Sequence, residues 1–280
     1  SDGIEFPIDD YLHQLFPTER PKQPYFGINR RANLLDIILL THNKLGNTTR
    51  CVEALYTNTE EPFTLNVIDD STDATPAYFK NLQAEKGNIN YIRPDVVIKS
   101  ANQAINRALK LTRSDPICFI TNSSFVEPEW LPTALRLMEH NEKVGVVGFK
   151  LLFPETNTII EAGEIVRPNG FRPNIGMHEP SHRHTYVREV QAVGWACVLL
   201  RRAALPPDGL DETTFIGFRG MDDTDNCLEI IKRGYKILYN GYGCVYHKLS
   251  ACQGGGTEQG QLEANENYHR FINKWKGNIP

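Results

Sequence analysis

The sequence predicts an α/β fold: a mostly parallel sheet flanked by helices, followed by a smaller mixed part. Three observations carry this. Apolar runs of strand length alternate with segments of helical spacing from Leu34 to Leu152. Stretches rich in hydroxyls, amides and carboxylates fall just after those runs, where ligand-binding loops of such sheets lie. The regularity then weakens after Phe153, as expected of a part that elaborates the sheet.

Residues 1–33 are rich in Pro and aromatics without a sustained period, and read as an N-terminal extension packed on the main body. Leu35-Asp36-Ile37-Ile38-Leu39-Leu40 is a short apolar run of the kind that forms a buried parallel strand, and Asn47–Tyr56 follows with helical spacing. Phe63–Ile68 predicts a second strand, Thr75–Ala84 a second helix, Ile89–Ile92 a third strand and Ala101–Leu111 a third helix. Pro116–Ile120 and Pro128–His140 repeat the alternation, and Val144–Leu152 adds a strand. Beyond it, Thr158–Arg167 and Val187–Arg201 read as strands around a loop of Pro, Gly and His. A helix at Asp222–Arg233, short strands at Tyr235–Tyr239 and Cys244–His247, a Gly254-Gly255-Gly256 loop and a polar helix complete the chain. The expected parts are 1–33, 34–153, 154–256 and a C-terminal helix in 257–280.

Composition narrows the function. Hydrophobic residues at 40% and charged residues at 23% are enough for a sizeable core, which excludes disorder as the main state. Lys+Arg 30 against Asp+Glu 34 gives a formal charge of -4, so no global basic field draws in a nucleic acid, and an anionic ligand must be held locally. The apolar runs fall far short of the roughly 20 residues of a membrane helix, and no signal peptide is read at the start. Six scattered cysteines without CxxC spacing predict reduced, buried thiols and a cytoplasmic location.

The loops to inspect are Thr41-His42-Asn43-Lys44, Asp69-Asp70-Ser71-Thr72-Asp73 and Thr121-Asn122-Ser123-Ser124. Paired carboxylates at a strand end can accept hydrogen bonds from a pyrimidine imide or ribose hydroxyls; equally, Asp, Ser and Thr there can form a plain N-cap turn.

Read together, several segments resemble glycosyltransferase family 2. The first half carries Leu34 to Lys44, Val67-Ile68-Asp69-Asp70-Ser71-Thr72-Asp73 and Ala104-Ile105-Asn106-Arg107-Ala108-Leu109. The second carries Gly194-Trp195-Ala196-Cys197, Gly209-Leu210-Asp211-Glu212, Asp222-Asp223-Thr224-Asp225, Arg233-Gly234-Tyr235 and Val245-Tyr246-His247. The resemblance covers roughly Leu34 to His247 and implies the GT-A fold, with a Rossmann-like sheet. It implies a nucleotide-sugar donor, UDP or dTDP favoured, bound by 34–153, and an acceptor held by 154–256. The acceptor class (carbohydrate, lipid-linked or protein) is left open. By resemblance Thr41, His42, Asn43, Asp69, Asp70, Ser71 and Asn106 serve the nucleotide, and Asn122, Ser123 and Lys99 the diphosphate region. Gly194, Trp195 and Asp222 serve the acceptor, and Asp223 is the general base of an inverting transfer. A carboxylate suits that role because a sugar hydroxyl must lose its proton as it attacks. The other reading of Asp222-Asp223-Thr224-Asp225 is negative charge complementing a helix N-terminus.

The sequence departs from the family at the fourth strand end. Where the family carries an Asp-x-Asp or Ser-Asp element reaching a divalent cation (Mn2+ or Mg2+), Thr121-Asn122-Ser123-Ser124 supplies no charge. Three explanations follow: weak metal binding through His247, a metal position by resemblance; neutralisation by Lys99 or Lys248; or a catalytically impaired relative that binds a glycan or nucleotide sugar. His247 reads equally as a histidine hydrogen-bonded at a strand end. Trp195 reads as core or as a sugar-stacking ring. His178, His182 and His184 read as an exposed loop or a metal site, Gly254–Gly256 as a linker or lid, and Thr213–Met221 as a segment that reshapes the acceptor pocket.

Overall fold

The alternation of side chains along a strand decides the layering. The computed structural model describes residues 34–218, 220–249 and 257–279. In β1 (Leu35–Thr41), Ile37 and Leu39 enter one apolar layer while Ile38 and Leu40 enter the other, so an unbroken apolar run is what a strand covered on both faces requires. The chain continues through α1 (Leu45–Asn58), β2 (Phe63–Asp69), α2 (Thr75–Glu85), β3 (Ile89–Ile92), α3 (Ala101–Leu111), β4 (Ile117–Thr121), β5 (Ser124–Val126), α4 (Pro132–His140) and β6 (Val144–Leu152). Then come β7 (Ile159–Glu161), β8 (Val187–Val190), β9 (Cys197–Leu200), α5 (Asp222–Lys232), β10 (Lys236–His247) and α6 (Glu258–Trp275). Helices α1, α2 and α4 cover one face through Leu55, Phe79 and Leu137, and α3, α5 and α6 cover the other through Ile105, Ile230 and Phe271.

The strand order is β3-β2-β1-β4-β9-β6-β10-β5, with β7 on β6 and β8 on β10. The first four are parallel, as the repeated strand and helix pattern predicts. The rest is mixed: β9 runs antiparallel between β4 and β6, and β10 is parallel to β6 but antiparallel to β5 and β8. The fold is thus the predicted α/β class with a mostly parallel core.

Three expected elements change. Val187–Arg201 is two strands, because the 191–196 stretch leaves the sheet to carry Gly194 and Trp195. Thr158–Arg167 shrinks to Ile159–Glu161, and the strands at Tyr235–Tyr239 and Cys244–His247 fuse into β10 with a register shift between Asn240 and Cys244. Gly241 sits in that irregularity: a Cβ there would lie 2.0 Å from the His184 carbonyl oxygen, so only glycine lets the two backbones approach. β5 carries no periodic signal of its own and was not expected. The 1–33 extension, Cys252 and the Gly254–Gly256 run lie outside the described residues. The five described cysteines are free thiols, and among the described residues no helix is long and apolar enough to cross a membrane.

Candidate functional site

Parallel pairing of β1 and β2 sets Thr41 opposite Asp69, so the two following loops leave the same edge side by side. Thr41 Oγ1 donates to Asp69 Oδ1 at 2.8 Å and Ser71 N–H to the same oxygen at 3.0 Å. Oδ2 takes the Tyr91 hydroxyl at 2.7 Å and the Arg93 guanidinium at 3.4 Å. Asp69 is fully buried and its acceptor capacity is spent inside the protein, so it organises the loop. Asp70 faces outward, bonded through Oδ1 to His42 Nδ1 at 2.6 Å. Asn43, at a φ of 54°, gives its N–H to Ser71 Oγ and takes the Thr72 and Asp73 N–H groups on its side-chain oxygen. Thr41, His42, Asn43, Asp69, Asp70 and Ser71 therefore form one hydrogen-bonded group.

Asn122 joins this group to the fourth strand: its amide donates to the Asn43 carbonyl and to Thr48 Oγ1, both at 3.0 Å. Next to it, Ser123 Oγ lies 3.3 Å from Thr121 Oγ1, and Ser124 Oγ lies 3.1 Å from His247 Nδ1, which the β5–β10 register puts opposite. Burial holds the His247 imidazole down to about 4, so it is neutral at physiological pH. A hard divalent cation calls for carboxylate oxygen. Here the neighbours are hydroxyls and a neutral imidazole already bonded through one nitrogen, and among the described residues no group of three His, Cys, Asp or Glu side chains is placed to hold a metal ion. These residues do not fit a cation held by the protein alone. The histidine loop disperses in the same way: His178 stacks on Phe153, while His184 bonds Tyr186 and Glu179.

A cavity of about 340 Å³ opens beside this edge. Its walls include Thr121, Asn102 at the start of α3, Gly194, Trp195, His247 and the first turn of α5 with Asp222 and Asp223. The structure thus brings the expected acceptor residues, the expected base and His247 around one space. Trp195 is both core and wall: it is buried, and its indole N–H reaches Cys227 Sγ at 3.4 Å. Phe218 and Gly220 from the 213–221 segment also line the cavity.

The cavity floor holds carboxyls that the motifs did not single out. Glu161 and Glu164 are buried beneath Asp222 and Asp223, with the Arg172 guanidinium as the cation among them. Glu161 Oε1 accepts the Gly194 N–H at 2.7 Å, and a Cβ at Gly194 would meet the other oxygen at 2.9 Å, which accounts for glycine there. Desolvation, reinforced by Glu164, lifts the Glu161 carboxyl well above the usual range. Glu164 is raised to about 7 by burial against the opposing pull of Arg172, and Asp222 to about 7 by burial and the charge of Asp223. Such a site mixes neutral acids, which donate, with carboxylate, which accepts. The signal in the sequence is the run Ile159-Ile160-Glu161-Ala162-Gly163-Glu164-Ile165-Val166, where two glutamates interrupt an apolar stretch: charged groups there must be paired or serve a site.

Two expected residues are placed elsewhere. The Asn106 amide donates to the Leu210 carbonyl at 2.8 Å and to Glu212, and its oxygen takes the Leu210 N–H at 2.8 Å, so it braces α3 against the 209–212 turn and does not line the cavity. Lys99 is exposed before α3, where its N–H bonds Gln103. Asp225 is structural: it takes Trp275 Nε1 at 2.7 Å and Lys274 at 2.8 Å, pinning α6 to α5.

A family model described as glycosyl transferase family 2 matches residues 36–205. The chain is 25% identical over 233 residues to uncharacterized protein y4gI of Sinorhizobium fredii (strain NBRC 101917 / NGR234), covering 79% of this chain and 25% of that protein. It is 34% identical over 155 residues to O-antigen biosynthesis protein RfbC of Myxococcus xanthus, covering 52% and 12%. The chain spans a quarter or less of the length of these relatives. GalNAc-T7, solved with UDP, GalNAc and Mn2+, superimposes with a TM-score of 0.68 at 14% identity over 88% of this chain and 49% of that one. The mannosyltransferase PcManGT from Pyrobaculum calidifontis, with GDP-Man and Mn2+, gives 0.60 at 14% over 86% and 63%. At that identity the likeness is one of fold, which is the GT-A fold.

Proposed function

The chain belongs to glycosyl transferase family 2 and is a glycosyltransferase domain, and we propose that it moves a sugar from a nucleotide-diphosphate sugar, UDP or dTDP favoured, to an acceptor in the Asp222–Asp223 cavity with inversion. One observation carries this reading: Asp223 opens into a cavity at the carboxyl ends of the strands, beside the loop group around Asp70. In the reaction the acceptor hydroxyl attacks the anomeric carbon and gives its proton to Asp223. The new carbon–oxygen bond forms as the bond to the diphosphate breaks, and the nucleoside diphosphate leaves with the electron pair. Asp70 and the His42–Asn43 loop hold the nucleoside, Asn122 and Ser123 face the diphosphate, and Gly194, Trp195 and Asp222 seat the acceptor. No step runs through a metal; Lys248, whose N–H bonds the Ser123 carbonyl, is the basic group assigned to the leaving charge. The name of the O-antigen relative supports a polysaccharide or glycoconjugate acceptor, and the free thiols support a cytoplasmic location.

The neutral Thr121–Ser124 stretch favours a second reading, a relative that binds a nucleotide sugar or glycan without turning it over. Calorimetric titration of UDP, dTDP and GDP, with Mn2+ and with EDTA, separates the readings when joined to turnover of the matching nucleotide sugars. The transferase reading expects one nucleotide to bind, with EDTA changing affinity by less than about tenfold. It also expects Asp223→Asn to lower turnover about 100-fold or more at nearly unchanged nucleotide affinity. Binding without any turnover selects the second reading, and loss of nucleotide binding in Asp223→Asn removes Asp223 from the role of base.

A further inference from the structure

Beneath Asp223 runs a chain of side chains that the transfer step does not use directly. Asp223 Oδ1 accepts the Thr224 N–H at 2.8 Å and lies 3.4 Å from the Thr224 hydroxyl; its Oδ2 takes no hydrogen bond from the described residues. The Thr224 hydroxyl, fully buried, donates to Glu164 Oε2 at 2.9 Å. The other Glu164 oxygen takes Arg172 Nη1, and Arg172 Nε reaches Met221 Sδ at 3.1 Å. Met221 precedes α5 with a φ of 73°, so Arg172 grips both the acid and the left-handed entry to the helix carrying Asp223. Glu164 is itself fixed by its backbone, which exchanges hydrogen bonds with Ala192.

We propose that Arg172, Glu164 and Thr224 form a positioning relay that fixes the Asp223 carboxylate, keeping Oδ2 turned to the cavity to receive the acceptor proton. This rests on the transferase reading above. The physical need is plain. Asp222, Asp223, Glu161 and Glu164 crowd one cavity with Cys227 behind them, and Arg172 is the positive charge at which these acids converge. An unbraced Asp223 would turn toward that guanidinium and away from the acceptor. Thr224 prevents this: its one hydroxyl proton goes to Glu164, an acid on another element, which fixes the first turn of the helix, and its backbone N–H holds Asp223 Oδ1 at 2.8 Å. Misplacement of a reacting group by about 1 Å can cost about 100-fold in rate.

The test compares Thr224→Val, which keeps the shape and removes the hydroxyl, with Thr224→Ser, which restores it, and with Arg172→Met. Each is assayed for hydrolysis or transfer of UDP-, dTDP- and GDP-sugars, and Asp223 is followed directly as the carboxyl 13C resonance missing from Asp223→Asn. Thr224→Val and Arg172→Met are expected to lower kcat about 10- to 100-fold with the donor KM changed less than about threefold, and Thr224→Ser to recover most of the loss. The Asp223 resonance is expected to change its pH titration in the first two variants and to return in the third. A Thr224→Val enzyme with wild-type kcat, or a loss confined to KM, overturns the proposal. So does an unchanged Asp223 titration in Thr224→Val, and that readout holds even where no donor is turned over, which is the outcome that sinks the transferase reading instead.

Discussion

Asp222 and Asp223 are adjacent in sequence yet meet different surroundings, and the difference has a measurable consequence. Asp222 is held up to about 7 by desolvation and by the negative charge of Asp223; Glu164 is lifted to about 7 by burial although Arg172 pulls it down. A carboxyl raised in the folded state binds its proton more tightly there than in the unfolded chain. Its contribution to stability is complete below the unfolded value near 4 and is lost as pH rises through about 7. Thermal melts are therefore expected to show a falling Tm between pH 5 and 8, and Asp222→Asn, which cannot ionise, to flatten that fall. Equal slopes in wild type and variant would mean that Asp222 is solvated and ionised throughout. At this scale a motif points to a position, as Asp222-Asp223 points to a cavity wall, but not to surroundings that depend on distant partners. Glu164 acquires its surroundings from Arg172, eight residues away, and from Thr224, sixty away, and no local pattern encodes that meeting.

The elements show the same division. Strands β1 to β4 and helix α3 follow from period and length because each is buried as a repeated unit, and the helix expected at Ala101–Leu111 has those bounds. The irregular half escaped because its elements are decided by close approaches such as Gly241 against the His184 carbonyl, which carry no period. Asn106 illustrates the limit. Its place in an Ala-x-Asn segment assigned it to the nucleotide by resemblance, whereas its amide closes three hydrogen bonds that tie α3 to the 209–212 turn. Replacing it by Ala strands the Leu210 N–H and carbonyl in a buried place, at about 1–3 kcal/mol for such groups. The expected result for Asn106→Ala is an unfolding free energy lower by that amount, seen as a lower urea midpoint at unchanged m, with nucleotide affinity within about threefold of wild type. A large loss of nucleotide affinity at unchanged stability would return Asn106 to the binding site.

Over the whole molecule, the sheet does not respect the division between the nucleotide-side and acceptor-side halves read from the sequence. β9 is inserted between β4 and β6, and β10 bridges β6, β5 and β8. Each apolar layer draws residues from both halves: Ile38 and Phe119 share one with Val198, Ile230 and Phe271. Neither half keeps its neighbours if the other opens, so unfolding of this body is expected as one cooperative transition in calorimetry. A nucleotide bound only at the β1 and β2 loops then stabilises all of it, by about 2.7 kcal/mol at a hundred times its Kd. For a chain of this size that raises Tm by about 5 °C. The transition should move as a whole, without a shoulder left at the original temperature. Two separable transitions, with the nucleotide shifting the first alone, would show that the acceptor side unfolds independently and that the cavity is not held rigidly against the nucleotide loops.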